Sequence, residues 1–284
     1  MQVLPAKELS PYIKHYLFFE NKEHVSKQLR LFSDGKTGIV LTFNGNLISN
    51  NDNKLSNYPK SFLYGQISAF KDLYLLEKTS ILIVIFQPFG INHLLGISAN
   101  ELRDSIIATE DIFGSYAALL YERLSEQAGL ESKLQALNSF FMEYTNRKVL
   151  SNQNLIHSTL NFILKNKGSI TVSDLVKYTG YTERHIERIF NESIGLSPKK
   201  LGNIVRLHFF LNLLKHKSYQ NNLIDLSYEA GYADQSHLIK EFKKHAGITP
   251  TQYLNDTSRL AINFLEIKSQ ELQMSGLYNF PVKA

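Results

Sequence analysis

Two short stretches hold the side chains with the most chemical reach. In GYTERHIERIFNESIGLSP, Gly180 to Pro198, the residues Glu183, Arg184, Glu187 and Arg188 recur at helical spacing. In GYADQSHLIKEFKKHAGITP, Gly231 to Pro250, Gln235, Ser236, His237 and Lys240 do so. Apolar residues fill the opposite face: Ile186, Ile189 and Phe190 in the first, Leu238 and Phe242 in the second. Guanidinium, amide, hydroxyl, imidazole and ammonium groups on one helix face hydrogen-bond base edges and hold phosphates. Nothing comparable points to catalysis. The chain has no cysteine, which excludes disulfides, thiolate metal sites and cysteine nucleophiles. His15, His24, His93 and His157 lack the HxH, HxxxH or HExxH spacing of a metal site. GxSxG, P-loop and GxGxxG patterns are absent. Glu110-Asp111 suits the first turn of a helix. Neither an enzyme nor a cofactor is expected.

The elements that position these side chains repeat. Both stretches read Gly-Tyr, a polar cap, an amphipathic helix reaching Phe, then Gly, an apolar residue, Ser or Thr, and Pro. The offset is 51 residues at Gly180/Gly231 and 52 at Phe190/Phe242, so the second copy carries one extra residue in its turn. A short helix precedes each glycine, Asp174–Tyr178 and Ile224–Glu229, giving the pattern of a helix-turn-helix. Glycine permits the positive φ of the tight turn, and Thr182 and Asp234 suit the N-cap of the following helix. Upstream, Leu155–Leu164 reads as a helix closing near Gly168, and Thr171 with Asp174 has capping-box spacing. Pro198 opens a long helix to about Lys217, close to 27 Å at roughly 1.5 Å per residue. Successive major grooves on one face of DNA lie about 34 Å apart, so a bent or tilted duplex could meet both units.

Residues from about 155 to 254 resemble the DNA-binding domain of the AraC/XylS family of bacterial transcription regulators. The second copy carries the pattern nearly intact: Gly231-Tyr232, Asp234-Gln235-Ser236-His237, Phe242-Lys243, Gly247, Thr249-Pro250 and Tyr253, with Arg206-Leu207 and Leu213-Leu214 in the linker helix. The resemblance implies that each recognition helix enters a major groove, with Arg184, Glu187, Arg188, Ser236, His237 and Lys240 at base or phosphate positions and Gln235 on the same face. It implies promoter DNA as partner, and a small-molecule effector, RNA polymerase or a second copy as further partners. The alternative is a constitutive DNA-binding and partner-contact module without a ligand. Val176, Ser227 and Phe210 stand where the family usually has alanine, which implies a repacked interior. Glu187 either accepts from a cytosine amino group or pairs with Arg184 or Arg188.

The rest of the chain frames this block. Its 284 residues suit two domains, and 43% hydrophobic with 20% charged residues fit a globular protein. Residues 1–150 hold 15 Lys+Arg against 15 Asp+Glu, while 151–250 hold 13 against 8 and carry the whole net charge of +5. That asymmetry suits a polyanionic partner for the second block alone. A signal peptide and a membrane span are not expected, so a cytoplasmic location is. The expected architecture is an α+β N-terminal domain over 1–150, strands then helices, which senses or dimerises. An all-α domain over 151–255 follows, with two helix-turn-helix units joined by a linker helix, and then a helical extension over 256–284. Strands are expected at Thr37–Phe43, Asn46–Ser49, Ser61–Tyr64, Leu73–Leu76 and Ile81–Phe86. Asn44-Gly45 reads as a hairpin turn, and Ser98-Ala-Asn-Glu101 as a helix start. Ser33-Asp34-Gly35, Ile39–Phe43, Phe86–Gly90 and Leu119–Leu124 resemble an N-terminal domain common in such regulators. Arg30, Lys36, Phe43, Tyr64 and Phe86 either line a pocket or, for the aromatics, form core. Leu119, Leu120, Leu137 and Phe141 either make a dimer face or pack on their own sheet. Residues 146–154 read as a linker. Leu260, Phe264 and Ile267 predict an amphipathic helix over about 258–274.

Overall fold

A computed structural model describes residues 1–22, 24, 26–51, 54–145, 153–216, 223–255, 257–261 and 264–267. The chain begins with β1 (Gln2–Val3), β2 (Ile13–Glu20), β3 (Lys27–Leu31), β4 (Gly38–Phe43), β5 (Leu47–Asn51), β6 (Lys54–Asn57), β7 (Ser61–Tyr64), β8 (Lys71–Leu75) and β9 (Ser80–Phe86). Then come α1 (Gly90–Leu95), β10 (Ile106–Ala108), α2 (Thr109–Phe113), α3 (Ser115–Glu126) and α4 (Leu130–Thr145). One sheet has the order β1-β2-β9-β4-β7-β10. Its central strands, Gly38–Phe43 and Ser80–Phe86, are almost wholly buried, as strands covered on both faces must be. Alternation along β9 divides the work. Leu82, Val84 and Phe86 meet α4 through Leu134, Leu137 and Phe141, while Ile81, Ile83 and Ile85 face a cavity toward the second sheet.

The helical half follows as α5 (Gln153–Lys165), α6 (Val172–Thr179), α7 (Glu183–Ile194), α8 (Pro198–His216), α9 (Leu223–Glu229), α10 (Gln235–Ala246) and α11 (Pro250–Asn255). Two strands close the described chain, β11 (Thr257–Ala261) and β12 (Phe264–Ile267). The second sheet has the order β11-β12-β3-β8-β5-β6. One cluster of buried apolar side chains runs from the strands into the second helix-turn-helix. At the joint, Phe32 packs edge-on against Phe242 at 6.4 Å and, tilted, against Tyr253 at 6.1 Å.

Three expectations are corrected. Asn44, at φ 55, does turn the chain, but β4 and β5 lie in different sheets. The turn is a crossover, fixed by Lys60, whose ammonium donates to the Gly45 carbonyl and, at 2.8 Å, to Asn46 Oδ1. Residues 98–101 form turns, not a helix, and the Ala99 amide donates to the Glu192 carbonyl of α7 at 2.8 Å instead. The C-terminal extension is not helical over 257–261 and 264–267. It is a hairpin whose β12 pairs with β3, Phe264 opposite Leu31 and Ile267 opposite Gln28. An unpaired sheet edge offers backbone groups that outweigh a weak helical period. Residues 268–274 of that expected helix and 146–152 of the expected linker lie outside the described residues.

Candidate nucleic-acid interface

The two helix-turn-helix units are built by the local signals their sequences carry. Thr171 and Asp174 form a complete capping box on α6, the Asp174 amide donating to Thr171 Oγ1 at 3.1 Å and the Thr171 amide to Asp174 Oδ2 at 2.9 Å. α6 stops at Gly180, in the left-handed region at φ 74. Thr182 then caps α7 by accepting from the His185 amide at 3.4 Å. The second unit repeats this: Gly231 turns at φ 80, and Asp234 Oδ1 accepts from the His237 amide at 2.8 Å. Ile186, Ile189 and Phe190 of α7, and Leu238 and Phe242 of α10, are at most 2% exposed. Burial at about 1.5–3 kcal/mol per large apolar side chain fixes which face is left outward.

Arg184, Arg188, Ser236 and Lys240 are exposed on that outward face, and Glu187, Gln235 and His237 are half-buried beside them. Arg188 Nη1 lies 3.3 Å from Glu192 Oε2, an i,i+4 pair with both side chains more than half exposed. Such a pair is worth about 0.3–0.5 kcal/mol and yields easily to a phosphate. Among the described residues no ion pair joins Glu187 to Arg184 or Arg188, so the pairing, one of the two readings open for Glu187, is not formed. His237 packs edge-on against Tyr232 at 5.4 Å.

A residue matched only as part of the family pattern turns out to hold the second unit in place. Arg206 on α8 sits over the Tyr232 ring at 4.7 Å. It also donates to Glu241 Oε2 at 3.3 Å, to Asn203 Oδ1 at 3.1 Å and to the Gly231 carbonyl at 3.5 Å. One guanidinium thus ties linker helix, turn and recognition helix together. Phe210 fills the space beneath, edge-on to Tyr232 and Phe242, and Ser227, fully buried, donates to the Ile224 carbonyl at 2.7 Å. These two positions carry the repacked interior.

The residues proposed for an N-terminal pocket separate. Tyr64 lines a small cavity of about 70 Å³ between the sheets, with Leu17, Val40, Leu47, Phe62, Leu73 and the three isoleucines of β9. Lys71 and Asp104 are its charged lining residues. Arg30 instead pairs with Asp72 at 2.6 and 2.5 Å. Lys36, fully buried, pairs with Asp34 at 2.9 Å. Phe43 stacks on Tyr121 at 5.6 Å and Phe86 packs on Phe141 at 5.9 Å, both as core. Leu137 and Phe141 are 1% exposed inside their own half, whereas Leu119 is 60% exposed. Among the described residues no group of three metal-ligating side chains is found, and no helix is long and apolar enough to cross a membrane.

Two capped helices presenting cationic and amide side chains, joined through one long helix, define a double helix-turn-helix DNA-binding domain. A helix-turn-helix domain model matches residues 175–256, and a domain of unknown function, DUF6597, matches residues 1–108. Residues 175–256 thus carry a helix-turn-helix domain of the AraC type. An uncharacterized HTH-type transcriptional regulator of Haemophilus influenzae is 29% identical over 153 residues, 49% of this chain and 50% of that protein. The lactose operon transcription activator of Staphylococcus xylosus is 32% identical over 103 residues, 36% of each. The chain thus spans half or less of these two relatives, both named as transcription regulators rather than enzymes. Among solved structures, ToxT of Vibrio cholerae aligns over 84% of this chain and 97% of its own at 15% identity, with a TM-score of 0.46.

Proposed function

We propose that this protein is a sequence-specific, DNA-binding transcription regulator acting in the cytoplasm, with residues 1–150 as sensing domain and 151–255 as reading domain. Arg184, Glu187 and Arg188 read or hold one half-site, and Gln235, Ser236, His237 and Lys240 the next. The observation that carries this reading is the pair of recognition faces left exposed by two separately capped helices. An α8 of 19 residues, about 28 Å long, suits readout of two grooves on one face of a bent duplex. A small molecule with an apolar body gates this activity from the inter-sheet cavity, through different affinity for DNA-competent and incompetent conformers. The cavity's almost wholly apolar lining supports that reading over the constitutive one.

Selection of fragments of the source genome by the purified protein, near physiological salt, tests the DNA reading. The expected result is enrichment of a few promoters sharing two half-sites a helical turn apart. Binding without enrichment, lost as salt rises, would leave only the phosphate term and overturn sequence-specific reading by the protein alone. A metabolite screen that moves neither the melting temperature nor DNA affinity would overturn gating.

A further inference from the structure

The short crossover Gly65–Phe70, between β7 and β8, touches three things at once. It walls the inter-sheet cavity through Ile67, flanked by Tyr64 and Lys71. It also meets the C-terminal ends of both recognition helices. α7 ends at Gly195 and α10 at Gly247. A Cβ built on Gly195 would lie 3.3 Å from Gln66 Cγ and 2.6 Å from the Ala99 carbonyl oxygen; one on Gly247 would lie 2.6 Å from the Phe70 ring. Both helix ends therefore press their backbones directly against the N-terminal domain.

The crossover is stiff. Gln66 is 1% exposed and donates to the Gly35 carbonyl at 2.9 Å. Ser33 Oγ donates to the Ile67 carbonyl at 2.6 Å. Asp104 accepts from the amide and hydroxyl of Ser68 at 2.8 and 3.1 Å. Phe70 is also held by Arg30, 4.3 Å from the ring centroid, itself paired with Asp72. A stiff segment transmits displacement because packed interfaces shift between discrete arrangements and do not deform smoothly.

We propose that Gly65–Phe70 is the coupling element of the protein: it sets the relative placement of the two recognition helices and moves with whatever fills the cavity it walls. The inference rests on the two-helix reading above and names how that reading is regulated. An apolar occupant that pushes Ile67 outward displaces Gln66 and Phe70 with it. The C-terminal ends of α7 and α10 then move relative to each other, and so does the spacing of the half-sites they fit.

The absence of cysteine makes the test clean. Asn191→Cys and Lys243→Cys, both exposed and outside the proposed DNA contacts, carry spin labels on α7 and α10 of the full-length protein. Pulsed electron resonance then reads their distance without DNA. Phe70→Ala should widen the distribution and move its mean by about 2 Å, the size of helix shifts at packed interfaces. Phe70→Leu, which keeps an apolar contact, should restore it. Val40→Phe, which fills the cavity from β4, should shift the mean in a protein with an intact crossover and should lose that effect when combined with Phe70→Ala. Melting curves show that each variant is folded. Equal distributions in all variants would overturn the proposal, because α8 alone would then set the spacing. Failure of the genomic selection alongside a responsive distance would sink the DNA reading and leave the coupling standing.

Discussion

Acidification is expected to loosen the joint between the strands and the linker helix. His15 on β2 and His208 on α8 are both 1% exposed. Burial, reinforced by the Lys36 and Lys14 ammonium groups, lowers each imidazole from 6.5 to about 3, with Asp34 opposing and His245 adding to the effect at His208. Between pH 6.5 and about 3 the unfolded chain binds two protons that the folded protein does not. Stability therefore falls as pH drops through that window. At about 1.4 kcal/mol per unit, moving from pH 6.5 to 5 costs about 2 kcal/mol per imidazole, about 4 for the pair. Burial would raise the Asp34 carboxyl, but Lys36 and His208 hold it below its ordinary 3.8. Its stabilising contribution is thus lost only below pH 3.8, outside the tested range. The assay is urea unfolding at pH 7.5 and 5.0 at one ionic strength. His93, lowered by burial to about 4, adds loss of the same sign elsewhere, so the deciding comparison is His208→Gln. That variant should lose about 2 kcal/mol less than the parent between the two pH values. A variant with the parent's full pH dependence, or a parent equally stable at both, would refute the reasoning.

The other expected outcomes concern the second helix-turn-helix and the tail. Arg206→Ala removes the clamp on Tyr232, Gly231 and Glu241 and should cost about 3 kcal/mol, since it strands a largely buried carboxylate; thermal melting checks this. Gly231→Val places a β-branched residue at φ 80, with its Cβ 2.3 Å from Ser169 Oγ, and should lower the melting temperature of the second unit; an unaltered melt would show that the turn tolerates it. Lys240→Ala should reduce the salt slope of DNA binding by about one if the ammonium holds a phosphate, or relax one operator position by about 1–3 kcal/mol if it reads a base; unchanged affinity in both Lys240→Ala and Arg188→Ala would sink the assigned docking. Truncation before Thr257 uncovers β3, and hydrogen exchange at Lys27–Leu31 should accelerate with a loss of solubility. Retained solubility with unchanged exchange would mean that the hairpin does not cover that edge.

The recognition helices could be read from sequence because every determinant is local. Thr182 and Asp234 sit at the caps, Gly180 and Gly231 at the turns, and Ile186, Ile189 and Phe190 within one helix face. Each signal and its consequence lie within a few residues, so tertiary context had little to override. The failures are all non-local. Asn44-Gly45 carries hairpin chemistry, but it decides only that the chain turns, not which strand it turns toward. The partners of β4 turned out to be β7 and β9. Leu260, Phe264 and Ile267 fit a helical period, yet the edge of β3, on the far side of the sequence, decides that the segment is extended.

The same distinction separates the site from its control. In the sequence Lys36 and Arg30 are candidate pocket residues. In the fold, both cations are spent on carboxylates two and 42 positions away, Asp34 and Asp72, because a buried or half-buried cation without a counter-charge is too costly to keep. What remains free to accept an apolar molecule is the surface those pairs do not occupy, the side chains between the sheets. Nothing in the string Gln66-Ile67-Ser68-Ala69-Phe70 advertises a function. Its importance arises only when folding brings Gly195 and Gly247 to it, with the cavity behind. The proposed DNA reading thus rests on short repeated motifs, whereas the proposed connection from cavity to recognition helix rests on packing between segments far apart in the chain.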